Sequence, residues 1–166
     1  MTLSIYSASV PVFARMLGNL LAIFGKAEIY AAENGIDLQS FVDTRLAPDM
    51  HPLRNQVQIA TDGAKGVTSR LAGKPVPSWA DDEVSWEDLK GRLQKGIDYL
   101  ATFSAEDFAG ADEREITLTL GGREMQMRGE DYLLRIGQPN FYFHVTTAYA
   151  ILRHKGVPIG KRDYLS

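Results

Sequence analysis

Near the N-terminus, apolar side chains return in alternating steps of four and three: Tyr6, Val10, Phe13, Leu17, Leu20, Phe24, Ala27 and Ala31. That spacing keeps them on one side of a 3.6-residue turn and predicts a long helix whose seam packs against other helices. Pro11 falls early in the pattern, so the helix is expected to begin near Ser9 or bend there, with Gly35 closing it. The charges of Lys26 and Glu28, near its end with Tyr30, read as a solvated face. A linker from Ile36 to Met50 follows. His51-Pro52 then reads as a cap followed by proline at the first helical residue. Leu53, Val57, Ala60, Ala64, Val67 and Leu71 make a second seam, ending at Gly73. The small residues Ala60, Gly63 and Ala64 let a neighbour approach closely or leave room for a cavity.

Lys74 to Val84 is a proline-containing loop with Trp79. Ser85-Trp86-Glu87-Asp88 has the form of a helix start, a serine cap with acids in the first turn. Trp86, Leu89, Leu93, Ile97 and Leu100 supply the third apolar face, which Gly91 and Gly96 weaken by roughly 1 kcal/mol each relative to alanine. Ile116 to Leu120 alternates with period two, Gly121-Gly122 turns the chain, and Arg123 to Met127 returns: a hairpin whose apolar face must lie on the helices. Glu130 to Ile136 begins the last helical region. A helix then runs from Gln138-Pro139, its start or a kink, to about Lys155, before Gly156 and Pro158. The expected architecture is all-α: one domain over residues 1–166, an antiparallel four-helix bundle with a small β-hairpin inserted before the last helix.

The last helix carries the most chemistry. Gly137, Asn140, His144, Thr147 and Ile151 share one stripe, while Phe141, Val145, Ala148 and Leu152 form a wholly apolar one. A histidine on a mostly apolar face is ordinarily a core histidine hydrogen-bonded to a neighbouring helix. The sharper alternative is a ligand or general base in a cavity, work that imidazole does near neutral pH. His154, between Arg153 and Lys155, complements the negative end of the helix dipole and is expected at the surface. In the second helix Gln56 sits beside the seam and Asp62 beyond it; each is ordinarily surface or helix–helix hydrogen bonding, although an amide turned inward is the alternative.

Composition narrows the functional classes. A chain of 166 residues supports a real core, and its formal charge of −3 has no basic block of the kind nucleic-acid binders carry. Cysteine is absent, which excludes disulfides, thiolate metal sites and cysteine nucleophiles and fits a reducing cytoplasm. No signal-peptide pattern opens the chain, and no uninterrupted apolar run reaches the ~20 residues of a bilayer span. Phosphate loops, nucleophile elbows, paired histidines at i and i+4 and di-iron Glu-x-x-His pairs are all missing.

Two long helices, a capped third, a hairpin and an aromatic fourth helix closing in Leu152-Arg153-His154-Lys155-Gly156 resemble the DinB-like, YfiT-like four-helix bundles. The whole chain looks most similar to an uncharacterised bacterial family in that group, the domain of unknown function numbered nineteen-ninety-three. The local likeness rests on Pro48-Asp49-Met50, Pro52-Leu53 with Gln56-Val57-Gln58, Pro139-Asn140-Phe141-Tyr142-Phe143-His144 and Ala148-Tyr149-Ala150-Ile151-Leu152-Arg153. It continues through Gly156-Val157-Pro158-Ile159-Gly160-Lys161.

Metal-binding members of the wider group use one histidine of the second helix and a histidine-x-x-x-histidine pair of the fourth. They are known or suspected divalent-metal enzymes, including thiol-dependent transferases. The resemblance puts that pair on Asn140 and His144 and the partner on Gln56. Three imidazoles have become one imidazole and two amides, poor partners for zinc or nickel, unless Asp49, His51 or Asp62 moves in. The resemblance therefore implies a small-molecule-binding or non-catalytic bundle with a degenerate metal pocket around Gln56, Asn140, Tyr142 and His144. The competing expectation is a divalent-metal-dependent transferase or hydrolase with zinc or nickel on His144, Asn140 and Gln56. Bundles of this class often pair, so a homodimer is expected, with Trp79, Trp86 and the aromatics near Pro139 as apolar anchors. No nucleic acid or membrane partner is expected.

Overall fold

A computed structural model of the chain describes residues 3–166. Helix α1 (Ile5–Asn34) starts earlier than the proline suggests, because Ser4 and Ser7 cap each other's backbone in a reciprocal box; Pro11 is accommodated in the second turn. Gly35, at φ 64°, ends it in the left-handed conformation that glycine adopts without strain. By length and composition α1 would be long and apolar enough to cross a membrane. In this molecule its seam, from Phe13 through Leu17 and Leu20 to Phe24, is fully buried in the bundle. The expected linker contains a short helix, α2 (Gln39–Val42), that buries Phe41 and Val42. Helix α3 (Leu53–Leu71) has Pro52 at the cap position rather than inside the first turn. Helix α4 (Trp86–Leu100) opens on the expected box between Ser85 and Asp88.

Strands β1 (Glu115–Leu120) and β2 (Arg123–Arg128) pair antiparallel, and Gly121 and Gly122 turn the hairpin with φ of 55° and 78°. Positive φ at both positions is what a two-residue hairpin of native twist requires. The chain then stays helical from Gly129 to His154, as α5 (Gly129–Tyr132), a wide π turn (Leu133–Gly137) and α6 (Gln138–His154). Pro139 lacks an N–H and crowds the preceding turn, and the π turn is the local widening that accommodates it. Helix α7 (Lys161–Leu165) folds back on α1, tied by a Lys26–Asp163 ion pair.

Helix directions follow from which residues meet. Gln56 bonds His144, whereas Val67 lies against Gly137, so α3 and α6 are antiparallel. Phe24 stacks on Trp86 at 4.3 Å and Leu17 touches Gly96, so α1 and α4 are antiparallel as well. Thr61 meets Arg92 and Ser69 meets Tyr99, so α3 and α4 run the same way. Parallel neighbours need a connection that returns the full length of the bundle. The proline-containing loop of residues 72–85 does this, lying along the α3–α4 groove.

Arg92 holds that loop down. It is 2 % exposed, and its guanidinium donates to Thr61 Oγ1 (2.9 Å), Ala80 O (2.8 Å), Glu83 Oε1 (2.8 Å), Asp62 Oδ1 (2.9 Å) and Asp81 Oδ1 (3.1 Å). Gln58 donates to the other Glu83 oxygen at 2.8 Å. Burial alone would push the Glu83 carboxyl up, but these donors override it and hold its pKa below the usual carboxylate range. Trp79 completes the clasp with Lys65, Arg92 and Lys95 over its ring at 4.5, 5.1 and 4.6 Å. The charged residues of α1 also bridge helices: Glu28 accepts from Trp86 Nε1 at 2.9 Å and pairs with Lys90 at 2.7 Å.

Arg92→Met strips three partly exposed carboxylates of their buried cation and is expected to cost about 1–3 kcal/mol in denaturant unfolding. A methyl at Gly91 would meet open space, whereas one at Gly137 would lie 2.8 Å from Val67 Cγ2. Gly91→Ala should therefore stabilise the protein by about 0.5–1 kcal/mol, and Gly137→Ala should destabilise it by about 1–3 kcal/mol. The same sign for both glycines would contradict this packing.

Candidate functional site

The α3–α6 seam brings Gln56 and His144 together. Gln56 is 1 % exposed and His144 is 8 % exposed. The Gln56 amide nitrogen donates to the His51 carbonyl oxygen at 2.8 Å, so its Oε1 is the atom turned to the ring, 2.7 Å from His144 Nδ1. An amide oxygen accepts only, which assigns the proton to Nδ1 and leaves Nε2 as a lone-pair acceptor. No hydrogen bond to Nε2 is made among the described residues. Burial, and then the charge of nearby His51, hold the His144 pKa below the ordinary histidine value. The ring is a neutral imidazole in a fixed tautomer.

The other expected site residues lie apart from this pair. Asn140, one turn before His144, is exposed, and its amide nitrogen would be 3.5 Å from a methyl at Gly63. It stands at the edge of a cleft of about 510 Å³ between α3, β1 and the π turn. Tyr142 is half-buried on another side of α6, edge-on to Phe141 at 5.7 Å. Burial and neighbouring Tyr164 of α7 raise its phenol pKa, so it faces the α7 side and not the histidine. Asp49 is exposed, and Asp62 belongs to the Arg92 clasp, where it also takes Lys65 at 2.6 Å. Of the aromatics expected at a dimer interface, Trp86 is a core residue (4 % exposed), Trp79 lies under its three cations, and Phe143 is 58 % exposed.

Two residues that sequence reasoning passed over matter here. Arg92 interrupts the α4 seam between Leu89 and Leu93, opposite the run Asp81-Asp82-Glu83; a cation on a buried face facing acids was a readable signal. Arg70, at the end of α3, had no such signal.

The donor set does not fit a metal. The histidine is already engaged at Nδ1 by an amide, and no three His, Asp, Glu or Cys side chains are placed to hold a metal ion among the described residues. These residues do not make the three-donor cage that a zinc or nickel site requires.

The bundle order, the hairpin before α6 and the α3–α6 polar seam define a DinB-like helical protein. The family model described as Domain of unknown function (DUF1993) matches residues 5–165, and the chain belongs to that family. Its structure is similar to that of a DinB family member protein from Shewanella denitrificans, with a TM-score of 0.90 and 41 % identity over 97 % of this chain and 91 % of that one. Comparison with curated proteins returns no match.

Because the folded state disfavours the His144 cation, the unfolded chain binds that proton first. The stability this site contributes is complete above the ordinary histidine value of 6.5 and is lost as pH falls through the lower folded value. Between about pH 7.5 and about pH 5 the melting temperature of the wild type should fall more steeply than that of His144→Gln. Parallel curves would show that the ring is not held neutral.

Proposed function

We propose that this protein is a small-molecule-binding bundle in which a hydrogen-bonded imidazole–amide pair stands where DinB-like enzymes hold a metal, and that it carries out no metal-dependent catalysis. The observation that supports this reading is the 2.7 Å contact between His144 Nδ1 and Gln56 Oε1. It uses one nitrogen of His144 and leaves the other as a single acceptor. Such a group selects a ligand N–H or O–H, because a neutral acceptor gains from a donor and nothing from an anion. Asn140, one turn away, adds an amide at the edge of the cleft.

The second reading, a divalent-metal-dependent transferase or hydrolase on His144 with substitute ligands, has one observation in its favour. His51 is near enough for its charge to depress the His144 pKa, so a second imidazole is at hand.

Elemental analysis of protein purified without chelator, with calorimetric titration of zinc and nickel, separates the two. The binding-protein reading expects far less than one equivalent and no tight titration. One equivalent of metal, lost in His144→Ala, would establish the second reading in its place.

A further inference from the structure

The cleft beyond Asn140 has a chemistry of its own. Asp62, Gly63, Val67 and Arg70 of α3 form one wall, facing Thr117 and Thr119 of β1. Tyr132 and the π turn close the end. Two charged side chains line this space, and they are not equivalent. One oxygen of Asp62 accepts from both Lys65 Nζ (2.6 Å) and Arg92 Nη2 (2.9 Å), so its charge is already answered from outside the cleft. Arg70 makes no ion pair among the described residues; its side-chain partner is the Tyr132 hydroxyl, 3.3 Å from Nη1. A guanidinium in a partly enclosed space, with only a neutral phenol against it, leaves most of its five donors without a strong acceptor.

The surrounding groups fit an anion as well. The Tyr132 oxygen accepts from Arg70 and keeps its own proton to donate. Burial, which outweighs the opposing effect of Arg70, raises that phenol above its ordinary value and keeps it protonated at neutral pH. The amide of Asn140 is a further donor, while Val67, Leu118 and Ile136 give an apolar lining for a carbon skeleton. The backbone is shaped for this space too. Gly66 has no methyl where the Arg70 Nη1 atom would lie 2.7 Å away, so the guanidinium can fold back over the helix. The wall opposite is a π turn, a geometry that gathers at functional sites.

We infer that the cleft between α3, β1 and the π turn binds a small organic monocarboxylate, with the carboxylate on Arg70 and the carbon skeleton against Val67, Leu118 and Ile136. A single anionic charge matches the single unanswered cation, whereas a dianion such as a phosphate monoester would bring a second charge that no further cation lining the cleft answers. The inference rests on the reading of the chain as a small-molecule binder and puts the anionic end of a ligand on Arg70, in a cleft that His144 and Gln56 do not line.

The test uses the full chain with three probes of one size: benzoate, phenyl phosphate and neutral benzamide, by calorimetry and by thermal shift. Benzoate is expected to bind saturably, phenyl phosphate more weakly and benzamide not at all. Arg70→Gln should weaken benzoate by roughly tenfold or more, and Arg70→Lys should recover part of the loss, since an ammonium keeps the charge without the planar fork. If Arg70→Gln fails to fold by circular dichroism, Tyr132→Phe, which removes the hydroxyl against Arg70, serves instead and should weaken benzoate severalfold. Absence of benzoate binding to the wild type, equal binding to the available variants, or equal binding of benzamide overturns the inference. Benzoate binding that is lost in His144→Ala but kept in Arg70→Gln also overturns it, while leaving the small-molecule reading intact.

Discussion

A polar side chain taken out of water must find a partner inside or lose the energy of its hydration, and α3 carries an unusual number of such groups. Gln56, Gln58, Thr61, Lys65, Thr68, Ser69 and their neighbours are buried on a helix that is surrounded by other elements on nearly every side. Each satisfied group names a particular partner: Gln56 the α6 histidine, Thr61 the α4 arginine, Gln58 the crossover loop and Ser69 the Tyr99 hydroxyl. Apolar packing alone tolerates a shift of one turn between helices. Directional partners do not, so the polar face of α3 sets the register on which the site depends. Thr68 Oγ1 is the one buried side-chain polar atom without a partner among the described residues.

The parallel arrangement of α3 and α4 has a cost that shows in the structure. A loop must return the length of the bundle over a groove that would otherwise be open, and loops have little apolar surface with which to hold themselves down. Arg92 supplies the attachment. Its charge inside the bundle is tolerable because three carboxylates and two neutral oxygens surround it. The same arrangement neutralises Asp62 from behind, which leaves Arg70 as the uncompensated charge in the neighbouring cleft. The clasp and the cleft are therefore one electrostatic system.

His144 illustrates how the partner of a side chain decides its chemistry. An imidazole that faces other imidazoles is a ligand; one that faces an amide oxygen is a hydrogen-bond donor with its tautomer decided. The Gln56 side chain does this through its second bond, to the His51 carbonyl, which prevents the amide from offering its nitrogen to the ring. Burial then keeps the ring uncharged. The seam is neutral at this point, and Arg70, without an ion pair among the described residues, lies about four turns further along α3.

Much of the bundle was legible in the residues. The four-and-three spacing located α1, α3 and α4, the Ser85 box marked the start of α4, and Gly121-Gly122 marked the hairpin turn. These signals are local, governed by helix periodicity, capping and positive φ, and need no knowledge of the rest of the chain. Reading Gln56 and His144 as candidate partners also came from sequence, through the family pattern. What sequence could not supply was any relation between side chains distant along the chain. The resemblance put Tyr142 in one pocket with His144, but a helix turns each residue by about 100°, and Tyr142 lies toward Tyr164 of α7 instead. In the sequence Glu28 reads as solvated and Trp86 as an interface anchor, and the two meet each other across helices; Asp62, read as surface or helix–helix hydrogen bonding, does the latter with Arg92. Local backbone preference and periodicity are properties of a short stretch, so the sequence determined the elements. Helix direction, the Arg92 clasp and the unanswered charge of Arg70 depend on contacts made through space, so only the tertiary structure decided them.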